Sequence, residues 1–383
     1  MKAWVLQDIG DIRFEDIGSP EPGEGEVLIR VKAAGICGSD VPRTFDTGAH
    51  RMPLILGHEF SGEVVETGEG VDHSWSGKRV GIFPLIPCRK CEQCMNERYE
   101  LCRNYDYLGS RSNGAFAEYV TVPADNLIEL PENASFEEAA MLEPMAVAVH
   151  SIRRILDLGC DGQTIINTDN KGNITGDGIY RNISIAVYGL GTIGMFIVMF
   201  LKAAGFNDLY LIGNKESQKK NILSMGISED CYYDNSRDRA DKSNGKKTDT
   251  RTVDLIKNNG GADVVFECVG RTQTYTDAVD IAAPMGKVML VGNPYSDMTL
   301  PRNTYWKILR NQLTVLGTWN SSFTEKPDDD WHYVLELIKV GRINPKQFIS
   351  HRFPLEDLKK GLDIMHDKPE EYGKIMLLNS NTD

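Results

Sequence analysis

The feature that constrains this chain most is the run GLGTIG at residues 189–194, which follows the apolar segment 183–188 and precedes a helical pattern. A G-x-G-x-x-G run is common by chance, but between a strand and a helix it is typical of a dinucleotide-binding turn. Its glycines permit a tight turn and close approach of a pyrophosphate, and the helix N-terminus then faces the phosphates. We therefore predict a cofactor-binding turn made of Gly189, Gly191, Thr192, Ile193 and Gly194.

The surroundings of this turn also need an interpretation, because residues 183–201 carry no charge and are long enough to span a bilayer. Three glycines interrupt the run, and its first half is a short β-rich segment. A buried strand, a turn and a buried helix explain this pattern better than a membrane span.

The two parts of the chain differ in their hydrophobic pattern. The first 150 residues contain short strand patterns separated by Gly and Pro, which predict a β-rich, barrel-like domain; examples are 26–33, 62–66 and 116–122. From about residue 183 near-continuous apolar strands alternate with helices, which predicts a parallel sheet covered on both faces; the strands lie at 183–188, 209–212, 263–267 and 287–291. The expected fold class is thus α/β, with a doubly wound parallel sheet and a second, β-rich domain.

The length of the chain indicates the number of domains, and its net charge indicates which classes of partner are disfavoured. A chain of 383 residues favours two domains. The net charge of −13 disfavours nucleic acid and anionic membranes as partners, so an anionic substrate would need local basic groups. The N-terminal 17 residues alternate apolar and charged side chains and do not form a signal peptide, and we expect a cytoplasmic protein.

Four of the eight cysteines, Cys88, Cys91, Cys94 and Cys102, lie within fifteen residues. Without a secretion signal, clustered thiols indicate a metal rather than disulfides. The spacing matches a closed structural zinc site, although four cysteines can also hold an iron–sulfur cluster. We favour zinc because nothing nearby suggests an electron-transfer partner.

A second metal site is indicated by residues of mixed chemistry. Cys37 lies in GICGSD, His58 and Glu59 lie in GHEFSG, and Glu143 lies in LEPMAVAVH. A thiolate, an imidazole and a carboxylate leave one position open for water or substrate, as a catalytic zinc requires. Each residue alone is weak evidence, because a single histidine is more often a satisfied polar group than a ligand.

The choice of cofactor depends on the end of the second strand of the parallel sheet. An Asp or Glu at this position would hold the 2′-hydroxyl of NAD. The chain has Gly213-Asn214-Lys215 instead, which leaves room and positive charge for a 2′-phosphate. We predict NADP over NAD, unless a shift of register brings Glu216 to this position.

With these residues in view, nearly the whole chain resembles the zinc-containing medium-chain dehydrogenases, especially the sorbitol dehydrogenase group and, within it, the galactitol-1-phosphate 5-dehydrogenases. The resemblance is carried by GICGSDVPRTFDTGAH, LILGHEFSGEVVETG, CRKCEQC, YDYLGSRSNGAFAEYV, LEPMAVAVH, YGLGTIG, KILRNQLTVLGTW and ISHRFPLEDLKKGL. The substrate branch depends mainly on the first and fourth of these blocks.

This resemblance implies a GroES-like catalytic domain at 1–152, with a structural zinc lobe at about 84–106. It also implies a Rossmann domain at 153–318 and a C-terminal segment, 319–383, that completes the catalytic domain. Cys37, His58 and Glu59 would bind a catalytic zinc, making two zinc ions per chain. Glu143 would be a fourth, interchangeable ligand or a hydrogen-bond partner of the bound water.

Ser39 matches the hydroxyl that receives the alcohol proton in this family. Many alcohol dehydrogenases carry a histidine five residues after the cysteine to pass that proton onward. Here the position is Pro42, which cannot relay a proton. Water or His50 is left to do so.

Recognition of a substrate phosphate needs cations. Arg43 and Arg111 lie in the two substrate-branch blocks, and a guanidinium suits bidentate phosphate binding, although either could form a surface salt bridge. Lys307 and Arg310 are weaker candidates, because charges on an amphipathic helix are usually solvated.

The function indicated is hydride transfer between NAD(P) and a polyol phosphate, for instance galactitol 1-phosphate to tagatose 6-phosphate. The alternatives are an unphosphorylated polyol or secondary-alcohol dehydrogenase and a non-catalytic, nucleotide-binding structural or sensor protein. The resemblance also implies a homodimer or a homotetramer, because members of this family usually form one or the other. The hydrophilic stretches 167–182 and 235–252 are interpreted as solvated loops, the first with a hairpin flap as an alternative.

Overall fold

The computed structural model describes residues 1–156, 183–236 and 252–379. Most of the two hydrophilic stretches lies outside these ranges. The described strands are β1 Lys2–Asp8, β2 Asp11–Asp16, β3 Glu26–Ile36, β4 Leu54–Ile55, β5 Glu59–Thr67, β6 Arg79–Ile82, β7 Leu85–Ile86, β8 Asp106–Tyr107, β9 Tyr119–Pro123, β10 Leu127–Glu129, β11 Ile185–Tyr188, β12 Leu209–Gly213, β13 Tyr232–Asp234, β14 Ala262–Glu267, β15 Ala282–Leu290, β16 Thr314–Gly317, β17 Ile349–Pro354 and β18 Lys374–Leu378.

The described α-helices are α1 Asp40–Phe45, α2 Glu92–Met95, α3 Phe136–Ala140, α4 Leu142–Leu156, α5 Thr192–Ala203, α6 Glu216–Ser224, α7 Thr252–Asn258, α8 Thr272–Ile281, α9 Arg302–Arg310, α10 Asp330–Lys339 and α11 Leu358–Asp367. The chain forms two compact units, residues 1–146 with 321–383 and residues 147–320, and the boundary falls within α4. None of the described helices is both long enough and apolar enough to cross a membrane.

The first unit is built around the long strand β3. This strand pairs with β5, β9 and β18, and within the described residues the resulting seven-stranded sheet runs β10-β6-β5-β3-β18-β17, with β9 added at β3. Its core combines residues from the N-terminal strands with residues from the C-terminal segment, such as Leu358 and Ile375. The C-terminal segment therefore contributes strands to the same sheet as the N-terminal residues.

The second unit contains a parallel sheet whose described strands run β13-β12-β11-β14-β15-β16. In order along the chain this is 3-2-1-4-5-6, the strand order of the doubly wound dinucleotide-binding fold. β11 is buried along its whole length, because helices on both faces exclude water from a parallel sheet. The predicted α/β fold class is confirmed, and residues 185–203 form the expected strand, turn and helix.

Strand boundaries differ locally from the sequence-based prediction. The predicted strand 116–122 is regular only from Tyr119 onward. Before that point the chain bends, and Phe116 hydrogen-bonds through its carbonyl to Trp4 and through its N–H to Leu56, outside a continuous ladder. A period of two in the sequence predicts extended backbone, and it does not predict which neighbour completes the pairing.

Candidate active site and metal centre

The four clustered cysteines converge in the segment between β7 and β8. Cys91 precedes α2, Cys94 lies within it, and Cys102 follows a short 3-10 helix, Tyr99–Leu101. The sulfur–sulfur distances are 4.0 Å for Cys88–Cys94, 3.6 Å for Cys91–Cys94 and 3.9 Å for Cys91–Cys102. A tetrahedral ion with Zn–S bonds of about 2.3 Å separates its sulfurs by about 3.8 Å. This spacing fits one ion, and it leaves no room for a multi-iron cluster.

The protein environment of these thiols favours charge at some of them and opposes it at others. Backbone N–H groups of Cys94 and Arg103 lower the pKa of Cys91 to about 6. Burial and the neighbouring thiols raise the pKa of Cys94 to about 12. Four thiolates this close repel one another, so a divalent cation is the group that this donor set fits.

The second cluster is formed by the pairing of two antiparallel strands. Cys37 follows the end of β3, His58 directly precedes β5, and Glu59 is the first residue of β5. Because Gly35 of β3 lies opposite Glu59 of β5, the ends of the two strands meet. The ligand atoms of Cys37, His58 and Glu59 lie within 4.8 Å of one another. This mixed set of soft and hard donors suits a zinc ion with a position open to substrate.

The Asp40 carboxylate lies next to the Nδ1 side of the His58 ring. This carboxylate is fully buried, accepts a hydrogen bond of 3.0 Å from the Cys37 N–H, and lies 3.4 Å from the His58 Nδ1. A carboxylate on one ring nitrogen orients the imidazole so that its other nitrogen can bind a metal. Burial disfavours the charged imidazole, but Asp40 and Cys37 outweigh it and raise the pKa of His58 to about 10.

The Cys37 thiol is affected in the opposite direction. Burial opposes the thiolate, but the neighbouring His58 outweighs this cost and lowers the pKa of Cys37 to about 6. Without a metal, the two groups therefore form a thiolate–imidazolium pair at neutral pH.

Glu59 is neutralised by a lysine from the C-terminal segment. Lys374 of β18 forms an ion pair with the Glu59 carboxylate and donates a hydrogen bond of 3.0 Å to the Ile36 carbonyl. Both side chains of the pair are only 2% exposed, so neither charge can be compensated by water. Gly35 makes this contact possible, because a Cβ there would lie 2.4 Å from the Glu59 Oε2 and 2.6 Å from the Lys374 Cε.

Glu143 stands in the first turn of α4, beside the cluster but outside the group of atoms within 4.8 Å. Burial raises the pKa of its carboxyl group to about 7. The Tyr107 hydroxyl donates a hydrogen bond of 3.2 Å to its Oε1, and the Tyr107 ring meets the His58 ring edge-on with 5.8 Å between centroids. Burial raises the pKa of Tyr107 well above its usual value, so the hydroxyl keeps its proton.

Ser39 and two arginines lie next to these groups. The Ser39 hydroxyl is 3.3 Å from the Cys37 sulfur and accepts a hydrogen bond of 2.7 Å from Arg43. The Arg111 guanidinium stacks 4.5 Å from the centroid of the Tyr105 ring, and its buried Nε has no hydrogen-bond partner among the described residues. Partial burial and the charges of Arg111 and Arg43 lower the pKa of His50. The positive charges of both arginines therefore affect the same histidine, His50.

The glycine-rich turn has the geometry that a dinucleotide requires. A Cβ at Gly189, whose φ is +97°, would lie 2.3 Å from a Val269 methyl group, and one at Gly194 would lie 2.0 Å from the Gly189 carbonyl. Within the part of the chain that the structure describes, a Cβ at Gly191 would meet no atom within 4 Å. Two glycines thus allow close packing, while the third leaves the space at the start of α5 in which a pyrophosphate fits.

The end of β12 contains the residues expected to choose between cofactors. Gly213 is the last residue of the strand, Asn214 and Lys215 follow it, and Glu216 is the first residue of α6. The backbone N–H groups of Asn214 and Lys215 donate hydrogen bonds of 2.9 and 3.1 Å to the Gln218 side chain. The loop is therefore fixed by its own helix, with Glu216 placed after the turn.

Sequence reasoning missed Asp40, Tyr107 and Lys374. Asp40 and Tyr107 lie within sequence blocks that carry the resemblance, but neither was predicted to be a site residue. Lys374 left one signal, a lysine within the apolar strand KIMLL of β18. A buried cation in a strand implies a buried partner, but the partner is 315 residues away along the chain.

Comparison with known proteins agrees with this description. Residues 23–132 match the family model of the alcohol dehydrogenase GroES-like domain, and residues 192–339 match that of the zinc-binding dehydrogenases. The chain is 31% identical over 380 residues to the galactitol 1-phosphate 5-dehydrogenase of Escherichia coli, covering 99% of this chain and 100% of the relative. It is 30% identical to the sorbitol dehydrogenase of Bombyx mori, covering 94% of each chain.

Solved structures give the same result. The crystal structure of the Escherichia coli galactitol-1-phosphate dehydrogenase superposes with a TM-score of 0.81 at 30% identity, covering 99% of this chain and 100% of the other. A zinc-binding dehydrogenase of Sinorhizobium meliloti bound to NADP superposes with a TM-score of 0.79 at 27% identity, covering 98% of each.

The pKa values of Cys37 and His58 predict how metal binding depends on pH. His58 must lose its proton to become a ligand, whereas Cys37 has already lost its own above pH 6. Between about pH 7.5 and 9 we expect about one proton released per ion bound and an apparent affinity that rises about tenfold per pH unit. Calorimetry of metal loading in buffers of different ionisation enthalpy measures both. A Cys37→Ala variant isolates the contribution of this cluster, and an affinity independent of pH would contradict the assignment.

The buried ion pair predicts a stability effect. Lys374→Met leaves the Glu59 carboxylate buried without a partner, so the free energy of unfolding of metal-free protein should fall by about 3–5 kcal/mol. The double variant Glu59→Gln/Lys374→Met should recover most of this loss, because it buries no net charge. Urea denaturation of the three proteins tests the prediction, and equal stability of wild type and Lys374→Met would show that the pair is not formed.

Proposed function

The chain belongs to the zinc-binding, medium-chain alcohol dehydrogenases, and from this membership we propose that it transfers a hydride between NAD(P) and a polyol phosphate. The most specific form of the proposal is oxidation of galactitol 1-phosphate to tagatose 6-phosphate. The observation that carries it is the placement of two arginines: Arg43 donates to Ser39 beside the Cys37 sulfur. Arg111 stacks on Tyr105, whose ring meets that of Tyr107. The resemblance to a galactitol 1-phosphate 5-dehydrogenase supports the same substrate.

In this proposal Cys37, His58 and either Glu59 or Glu143 hold a catalytic zinc, and the four clustered cysteines hold a structural one. A zinc ion at the first site would supply Lewis acidity, which lowers the pKa of a bound alcohol and polarises a bound ketone. Asp40 keeps the His58 ring oriented, and Lys374 holds the Glu59 carboxylate. Tyr107 donates a hydrogen bond to the Glu143 Oε1.

The proton of the alcohol passes to Ser39 in this scheme. The Ser39 Oγ lies 3.3 Å from the Cys37 sulfur, next to the position where a substrate oxygen would bind. Pro42, within α1, cannot carry the proton further. His50 has a lowered pKa and is an unprotonated acceptor at neutral pH, so it or water completes the path to solvent.

Cofactor binding uses the turn at Gly189, Gly191, Thr192, Ile193 and Gly194. NAD(P) supplies the nicotinamide ring that accepts or donates the hydride. We propose NADP as the preferred form, because Gly213 ends β12 and Asn214 and Lys215 follow it, where an NAD-specific site would present a carboxylate. The NADP-bound relative supports this preference.

The proposal includes a homodimer or homotetramer in the cytoplasm. β16 is at the edge of the parallel sheet in the described residues, and the neighbouring Tyr305, Leu309 and Trp319 are each about half exposed. An exposed strand edge beside apolar side chains is a typical contact between copies of a chain. Clustered thiols that bind a metal instead of forming disulfides are typical of a reducing compartment.

An unphosphorylated polyol is the second candidate substrate. It is favoured by the contacts of Arg43, which already pairs with Asp40 at 3.5 Å and donates to Ser39. The sorbitol dehydrogenase relative supports this alternative.

Arginine variants separate the two substrates. Arg111→Ala and Arg43→Ala should each lower kcat/KM for galactitol 1-phosphate by about tenfold to a hundredfold more than for galactitol, because each removes a charged hydrogen bond to phosphate. The measurement is a panel of polyols and their phosphates assayed with both cofactors. Arg51→Ala, an exposed arginine of the same segment, is the matched control. Equal losses on both substrate classes would favour the unphosphorylated polyol.

The cofactor preference has its own test. Lys215→Ala should weaken NADP binding about tenfold or more and leave NAD binding nearly unchanged, because only NADP carries the 2′-phosphate. Fluorescence titration with each reduced cofactor measures the ratio, and Glu216→Gln is the neighbouring control. A variant that loses affinity for both cofactors equally would contradict the assignment.

A further inference from the structure

The second unit contains a cavity outside the glycine-rich turn. It has a volume of about 630 Å³ and lies among the end of α7, the start of β15 and one side of α9. Its walls include Gly260, Gly261, Ala282 and Pro284. The volume is within the range of pockets that take small molecules.

The cavity lies where the strands of the parallel sheet begin, whereas the glycine-rich turn lies where they end. Its lining includes Ala282, where β15 begins, and Gly261, directly before β14. Gly189 instead follows the last residue of β11. Because all these strands are parallel, their first residues lie on one side of the sheet and their last residues on the opposite side. A ligand in this cavity would therefore not occupy the dinucleotide turn.

Of the residues that the structure describes, four cations and no carboxylate line the cavity: Lys257, Arg302, Lys307 and Arg310. Lys307 is held by the carbonyl of Asp280 and lies 3.5 Å from the Asp280 carboxylate. Over the described ranges, the other three cations form no ion pair. In a protein with a net charge of −13, such a group of unpaired cations in a concave site favours an anionic ligand.

The backbone carbonyls at the helix C-termini near the cavity have hydrogen-bond partners of their own. After α7 the N–H groups of Gly260 and Gly261 bond the carbonyls of Lys257 and Ile256. After α9 the N–H of Asn311 bonds the Lys307 carbonyl. These carbonyls are satisfied within their own chain segments, so they do not need the side chains of the cavity as hydrogen-bond donors.

The lining also contains an aromatic surface. The Arg310 guanidinium lies 5.2 Å from the centroid of the Trp306 ring, which fixes the cation beside a flat, half-exposed indole. Arg302 lies one turn before Trp306 on α9, so both guanidinium groups stand on the side of the helix that faces the cavity. The planar guanidinium group can donate two parallel hydrogen bonds to the oxygens of a phosphate, whereas a halide ion has no such pair of acceptors.

We propose that this cavity is a second ligand site, which binds a phosphate monoester through Arg302, Arg310 and Lys257, independently of the dehydrogenase reaction. Lys307 and Arg310, which the sequence offered as weaker candidates for the substrate phosphate, belong to this cavity. A sugar phosphate or a nucleotide would supply the same phosphoryl group, and a nucleotide would add a base able to stack on Trp306.

The test uses zinc-loaded protein with saturating NADP, so that the dinucleotide site is filled. Inorganic phosphate, glucose 6-phosphate and AMP are titrated by calorimetry, and hydrogen exchange locates the bound ligand. We expect saturable binding of at least one phosphate compound, with added protection at residues 257–261 and 302–311. Arg302→Gln and Arg310→Gln should each weaken it about tenfold, a loss of one charged hydrogen bond. Lys220→Gln, an exposed cation on α6 in the other half of the sheet, should not.

Tighter binding of AMP, lost in Trp306→Phe, would identify a nucleotide, and equal binding of both esters would identify the phosphoryl group alone. Either result supports the site. The proposal is overturned if nothing binds saturably or if the arginine variants bind like wild type. It is also overturned if sulfate and chloride compete as well as phosphate, which would indicate an adventitious ion only. Because no step depends on turnover, failure here leaves the dehydrogenase proposal untouched.

Discussion

The antiparallel pairing of β3 and β5 is the interaction on which the rest of the candidate site depends. Its register sets Gly35 opposite Glu59, so that Cys37 at the end of one strand meets His58 at the start of the next. A shift of one residue would turn every side chain of a strand to the opposite face and separate the thiol from the imidazole. The absence of a side chain at Gly35 then admits Lys374 to the Glu59 carboxylate. This strand pair therefore brings the donors together, and the glycine within it leaves room for the lysine that balances the Glu59 charge.

The two cysteine-containing clusters show how the same ligand chemistry can serve different purposes. The four-thiol cluster is a short local segment whose donors surround a single point, so an ion there would have no free position. The Cys37 cluster has fewer donors, and its charges are balanced by residues outside it, Asp40 and Lys374. Such balance allows a buried site to keep a coordination position for substrate, because the protein rather than a fourth thiolate compensates the charge.

Much of the fold follows from local patterns. The strand, turn and helix at residues 185–203 could be predicted because apolar periodicity and glycine spacing act within twenty residues, and the fold class followed from them. Cys37, His58 and Glu59 could be singled out by residue type, but their convergence depends on strand register. Lys374 could not be paired with Glu59, because a contact across 315 residues has no local signal. Glu143 illustrates the same limit, since the structure gives it a tyrosine partner that its own block did not indicate.

The central claim is that Cys37 and His58 hold a zinc ion in addition to the one in the four-cysteine lobe. Anomalous diffraction from crystals of the zinc-loaded protein, recorded on both sides of the zinc absorption edge, locates such ions directly. The account predicts two peaks per chain, one enclosed by the four clustered sulfurs and one at about 2.0–2.3 Å from the Cys37 sulfur and a His58 ring nitrogen. A peak in the lobe with none between Cys37 and His58 would contradict it.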